Sequence, residues 1–120
     1  MAVRAIRGAI QLDVDEREHL LASVEELVTE VLRQNELDLD QLISIVFTAT
    51  SDIHAEFPAL AARGLGLGDV PLLCAQEIDV EGAMPRVIRL MVHAETDVPR
   101  SGVRHVYLRG AVGLRRDLAQ

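Results

Sequence analysis

Polar and apolar residues along this chain fall into stretches with two distinct periods. Over residues 2–12, Val3, Ala5, Arg7 and Ala9 share one parity and Arg4, Ile6, Gly8 and Ile10 the other, which predicts a two-faced strand. Leu20, Leu21, Val24, Leu27, Val28, Val31 and Leu32 then recur at helical spacing and predict a long amphipathic helix ending near Asn35. Asp15 and Glu18 stand at capping-box spacing before it. The run LISIVFTA at 42–49 is nearly all apolar and rich in β-branched residues, so a buried strand is expected there. Residues 57–63 read as a short helix with Pro58 in its first turn, closed by Gly64, Gly66 and Gly68. Strands follow at 70–76, 86–95 and 104–108, with another expected at 110–114. The order β-α-β-α-β-β-β implies one α+β domain of the α/β type spanning residues 1–120. Its mixed sheet carries one long helix and one short one.

Composition narrows the functions open to such a domain. The 120 residues are 49% apolar, enough for a core without disulfides or structural metal. Cys74 is the single cysteine and points to a reducing, cytoplasmic setting. No stretch approaches the roughly 18 apolar residues of a membrane span, and Arg7 interrupts any N-terminal signal-like run. The net charge of −7 and the three aromatic residues, Phe47, Phe57 and Tyr107, argue against nucleic-acid binding. His19, His54, His93 and His105 share no ligand spacing, and D-x-H at 52–54 is too short a signal to stand alone, so no metal is expected. There is no G-x-S-x-G, phosphate loop or dinucleotide fingerprint, and GLGLG at 64–68 follows a helix and reads as a turn.

The candidate chemistry lies in the arginines. All 12 basic residues are arginine, and some interrupt apolar strands. Arg7 sits between Ala5 and Ala9, Arg89 between Val87 and Met91, and Arg86 shares parity with Ile88, Leu90 and Val92. Burying a guanidinium is unfavourable unless it is paired, so each of these snorkels to water, meets an internal carboxylate or serves an anionic ligand. Their recurrence, with Arg63 and Arg115 in addition, favours an anion site. The guanidinium fork matches a carboxylate as lysine cannot.

Six segments carry a resemblance: R-x-I-R-G-A at 4–9, T-A-T-x-D-x-H-A-x-F-P-A at 48–59, C-x-Q-E-x-D-V-x-G at 74–82, R-V-I-R-L-M at 86–91, T-D-V-P at 96–99 and R-H-V-Y-L at 104–108. Together, in this order, they resemble the small trimeric chorismate mutases of pseudo-α/β-barrel fold. The resemblance implies cofactor-free rearrangement of chorismate to prephenate, in phenylalanine and tyrosine synthesis, by a homotrimer with its sites between subunits. It further implies that Arg89 donates to the substrate's ether oxygen and that Arg7 and Tyr107 bind a carboxylate. Glu77 would accept from the substrate hydroxyl, with Cys74 beside it. Phe57, Ala59, Leu73 and Leu114 would wall the pocket, and Arg63 and Arg115 would guard its mouth. By the same resemblance one chain supplies Arg7, Arg89 and Tyr107, while its neighbour supplies Phe57, Arg63, Cys74 and Glu77.

The chain departs from that family at Leu60, where a lysine can occur, at Leu73, where a threonine can occur, and in its short C-terminal tail. Two other classes would also use interfacial arginines: a small imine or enamine deaminase of similar trimeric architecture, and a non-enzymatic sensor of a carboxylate metabolite.

Overall fold

A computed structural model of the protein describes residues 1–114. Strand β1 (Ala2–Gln11) leads into helix α1 (Arg17–Gln34). A single 3-10 turn precedes β2 (Leu42–Ala49), which is followed by α2 (Pro58–Gly64) and β3 (Leu72–Gln76). Strand β4 (Val87–Thr96) and the three-residue β5 (Val106–Leu108) complete the sheet. The strand order is β3-β2-β4-β1-β5. Central β4 runs antiparallel to both neighbours, and the outer pairs β2–β3 and β1–β5 are parallel. Among the described residues no helix is long and apolar enough to cross a membrane.

Helix α1 buries the stripe its period predicts, with Leu20, Val24, Leu27, Val28 and Val31 inaccessible to solvent. Against it pack Ile6, Ile10, Ile45, Phe47, Ile88, Leu90 and Val92 from one face of the sheet. Each such side chain contributes roughly 1.5–3 kcal/mol on burial. The helix ends on Asn35, and Glu36 in the left-handed region lets Leu37 N–H return to the Leu32 carbonyl. The Asn35 side chain also accepts from Arg104 N–H and donates to the Arg104 carbonyl, both at 2.9 Å. That clamp seats the short β5 on the sheet edge.

Several local expectations change. The N-cap of α1 is Glu16, which accepts from His19 N–H; Asp15 instead holds the backbone of residues 54 and 55. Arg86 has φ +53° and lies outside β4, its Nε donating to the Leu12 carbonyl. It therefore does not share the aliphatic face of that strand. The expected strand at 110–114 is a 3-10 turn, Arg109–Gly113, entered through left-handed Arg109. The Arg109 guanidinium reaches Ser23 and Glu26 on α1, which bends the chain out of the sheet. Strand β2 is fully covered on one face only: Ile45 and Phe47 are buried, while Ser44, Val46 and Thr48 on the other face are only partly covered.

That last difference sets the architecture. Both helices lie on the same side of the sheet. The other face is capped at one end by a small cluster of Ala9, Val87, Tyr107 and Ala111, with Met84 and Leu114 packed on it. Elsewhere Val3, Leu73 and Met91 are open to solvent.

Gly8 shows how tightly the covered face is built. A Cβ placed there would stand 3.0 Å from Leu90 Cδ1 and 3.2 Å from Leu27 Cδ1. Gly8→Val is expected to destabilise the fold by about 1–3 kcal/mol through overpacking between β1 and α1. A lowered urea midpoint checks this, and an unchanged midpoint would show that the helix yields freely.

Candidate active site

The strand register assembles a site on the uncovered face. At one level across the sheet Tyr107, Ala9, Arg89, Thr48 and Ala75 are lateral neighbours on β5, β1, β4, β2 and β3. Two residues along, Arg7, Met91, Val46 and Leu73 form a second row. Paired residues project to the same face, and strands lie roughly 4.8 Å apart, so the two rows form one continuous patch. Arg7 and Arg89 occupy diagonal positions on adjacent strands, roughly 7–8 Å apart at the backbone. Between Arg89 and Tyr107 the sheet carries only the methyl group of Ala9. A cavity of about 350 Å³ opens there, lined by Arg7, Val46, Thr48, Arg89, Met91 and Tyr107. Its size suits a small metabolite.

The two arginines are held differently. Arg89 Nε donates to Glu77 Oε2 at 3.0 Å, and Thr48 Oγ1 donates to the same oxygen at 2.6 Å. Glu77 is placed by its own N–H, which bonds the Ala49 carbonyl and continues the β2–β3 ladder by one step. Arg7 Nη1 is buried with no hydrogen-bond partner among the described residues. A buried unsatisfied donor of this kind is destabilising by about 1–3 kcal/mol, more for a charged group. The positive charges of the two arginines also repel one another, which Glu77 offsets for Arg89. An anion in the cavity relieves both terms.

A second cavity of about 390 Å³ lies at the other side of β2–β3, lined by Ile53, His54, Phe57, Pro58 and Cys74 among others. Asp15 accepts from His54 N–H at 2.9 Å and Ala55 N–H at 3.1 Å, which fixes this loop to the start of α1. Glu56 accepts from Phe57 N–H and from Arg17 Nε, and those two bonds, the backbone one first, hold its carboxyl below the usual range. The loop is thus rigidly tied, yet Phe57 itself is 71% exposed.

Within one chain the expected site residues therefore separate. Arg7, Arg89, Tyr107 and Glu77 converge on the open face. Within the single chain the Glu77 carboxylate pairs with Arg89. Cys74 does not lie beside Glu77. Its register with Phe47 turns it to the helical side, where it joins Phe57, while Leu73 faces the open side. Ala59 is buried in the main core, Arg63 is exposed, and neither lines the Phe57 cavity. Leu114 packs beside Tyr107 in the small cluster. Arg115 lies outside the described residues. Among the described residues no three His, Cys, Asp or Glu side chains are grouped to hold a metal.

Thr48, Val46 and Met91 are cavity residues that pattern reading passed over. The signal available for Thr48 was its polarity inside LISIVFTA; what it faces depends on pairing with β4, which no local pattern specifies.

The chain as a whole is similar to known proteins. The sequence model of the family described as "Chorismate mutase type I" matches residues 3–118. The chain is 46% identical over 117 residues to chorismate mutase AroH of Thermus thermophilus, covering 97% of this chain and 96% of that protein. It is 40% identical over 120 residues to chorismate mutase AroH of Bacillus subtilis (strain 168), covering 99% and 94%. The solved structure of a chorismate mutase from Clostridium thermocellum superposes with a TM-score of 0.89 at 42% identity, over 90% of this chain and 96% of that one.

Proposed function

Because the chain belongs to the type I chorismate mutase family, we propose that it converts chorismate to prephenate on the open face of its sheet. The observation that carries the reading is the placement of Arg89 and Arg7 on adjacent strands around one cavity, with Arg7 Nη1 buried and without a hydrogen-bond partner among the described residues. Chorismate is a compact dianion with an ether link and a hydroxyl. Its rearrangement breaks the ether C–O bond as a C–C bond forms, moves no proton and forms no covalent intermediate. The catalyst has to hold a folded conformer and meet negative charge growing on the ether oxygen.

Each group has a task in that scheme. Arg7 and Tyr107 take a substrate carboxylate, satisfying the orphan Nη1. Arg89 keeps Nε on Glu77 and turns its outer N–H groups to the ether oxygen, where charge appears in the transition state. Glu77 accepts from the substrate hydroxyl through the oxygen not engaged by Arg89 and Thr48. These are positions of fixed donors around the reacting bond, and they account for the lack of an acid–base pair.

The assembly we propose is a homotrimer. The exposed apolar residues Val3, Leu73 and Met91 call for a cover, and a second copy bringing Phe57, Cys74 and Arg63 would both cover them and wall the cavity. The setting is a reducing cytoplasm, with one unit over residues 1–120 working in phenylalanine and tyrosine synthesis. Incubation of the purified protein with chorismate, followed by ultraviolet absorbance, tests the activity. Loss of chorismate far faster than in buffer is expected; a rate equal to that of buffer overturns the reading.

A further inference from the structure

Glu77 is held in an unusual manner, and the cause is a residue outside the reacting shell. Left to itself, a carboxylate beside a guanidinium favours the two-point fork, with both oxygens on two N–H groups. Here the contact is one-point: Arg89 Nε meets Oε2 at 3.0 Å, and the same Oε2 takes the Thr48 hydroxyl at 2.6 Å. A hydroxyl donating to a carboxylate at that length lies in the short, charge-assisted range. Thr48 is the direct lateral partner of Arg89 across β2–β4, so both donors reach Oε2 from neighbouring strands of a rigid sheet. Among the described residues, no other bond restrains the Glu77 carboxylate.

We infer that Thr48 is a positioning residue for the reaction: its hydroxyl pins Oε2 so that Glu77 stays one-point on Arg89. Two consequences follow from the one geometry, and both rest on the function proposed above. The second carboxylate oxygen remains available to a substrate hydroxyl. The outer N–H groups of Arg89 remain available to the ether oxygen rather than being drawn into a fork with Glu77. Removal of the hydroxyl frees the carboxylate to close on the guanidinium, which subtracts donors from the place where charge develops.

A bland structural role makes different predictions. Thr48 also belongs to a strand, and its methyl group and β-branch suit that position whatever its hydroxyl does. Valine keeps the branch and the volume and deletes only the hydroxyl, while serine keeps the hydroxyl and deletes the methyl. The inference expects Thr48→Val to lose roughly 10–100-fold in kcat, the scale of a misplaced catalytic group, with KM moved much less because Arg7 still binds. Thr48→Ser should stay within about threefold of the parent, the residue acting through a hydroxyl that serine also supplies. On a Glu77→Gln background, Thr48→Val should add little, since its route to the chemistry runs through the Glu77 carboxylate.

The experiment is steady-state kinetics on chorismate for the parent chain, Thr48→Val, Thr48→Ser, Glu77→Gln and the Thr48→Val/Glu77→Gln double variant, with circular dichroism to establish folding. Thr48→Ala replaces Thr48→Val should valine fail to fold. Near-parental kcat in Thr48→Val overturns the inference, as does a serine variant as impaired as the valine one, or full additivity in the double variant. An inactive parent chain instead overturns the proposed function.

Discussion

Arg89→Ala is expected to lower kcat by at least about 10²-fold, the scale on which removal of one transition-state donor acts. The side chain has two distinct engagements. Nε is committed to Glu77, and the remaining N–H groups face a cavity of about 350 Å³ with no protein partner among the described residues. Arg89→Lys discriminates between charge and geometry. Lysine keeps the charge but is a point donor, unable to hold Glu77 and reach a second acceptor in the same plane. It is therefore expected to be nearly as poor as alanine. Near-normal kcat in the lysine variant would reduce the role of Arg89 to general attraction of a dianion. Truncation also strips Glu77 of its cation and leaves the carboxylate with the Thr48 hydroxyl alone, so some stability is lost in Arg89→Ala. Because Arg89 is about two-fifths exposed, that loss should stay within about 1 kcal/mol.

Arg7→Met is expected to separate function from stability. Arg7 Nη1 is buried and unpartnered among the described residues. Methionine fills much of the same volume and removes both the unsatisfied donor and the repulsion with Arg89. Folding stability should hold or rise by about 1 kcal/mol. Substrate handling should fail in the opposite sense. A carboxylate brought into that cavity would then lack its charged partner, a loss of at least about 2 kcal/mol, or roughly 30-fold in kcat/KM. Denaturant unfolding and chorismate kinetics on the same preparation check both halves. A marked fall in the unfolding midpoint would mean that Arg7 serves the fold, and unchanged kcat/KM would remove it from the site.

These two expectations concern side chains that folding alone does not favour, and that is why they were visible early. Arginine between small apolar residues in β1 and β4 is out of keeping with the local pattern, and the period of two already put Arg7 and Arg89 on definite faces. Helix α1 was equally plain, because seven apolar positions at helical spacing leave few alternatives. The errors fell where a longer-range contact overrode a local signal. Asp15 resembles a cap but is drawn to the backbone at residues 54 and 55, and Arg86 has strand parity but turns left-handed to reach the Leu12 carbonyl. The chain after β5 looks extended but is pulled aside when Arg109 reaches Ser23 and Glu26 on α1.

By itself, then, the amino-acid order determined the element types, the stripe that α1 buries and the presence of arginines on the faces of β1 and β4. It does so because side-chain direction along a helix or strand follows from local periodicity. Only the tertiary structure decided that Arg89 has Thr48 on one side and Ala9, then Tyr107, on the other. It alone turned Glu77 onto Arg89 and Cys74 toward Phe57, three residues apart in sequence and on opposite faces. Lateral neighbours in a sheet are set by strand order and register between segments up to about a hundred residues apart. No periodicity within a single strand contains that information. The placement of the arginines was legible in the sequence; the contacts that one carboxylate and one hydroxyl make around the Arg89 guanidinium were written only in the register.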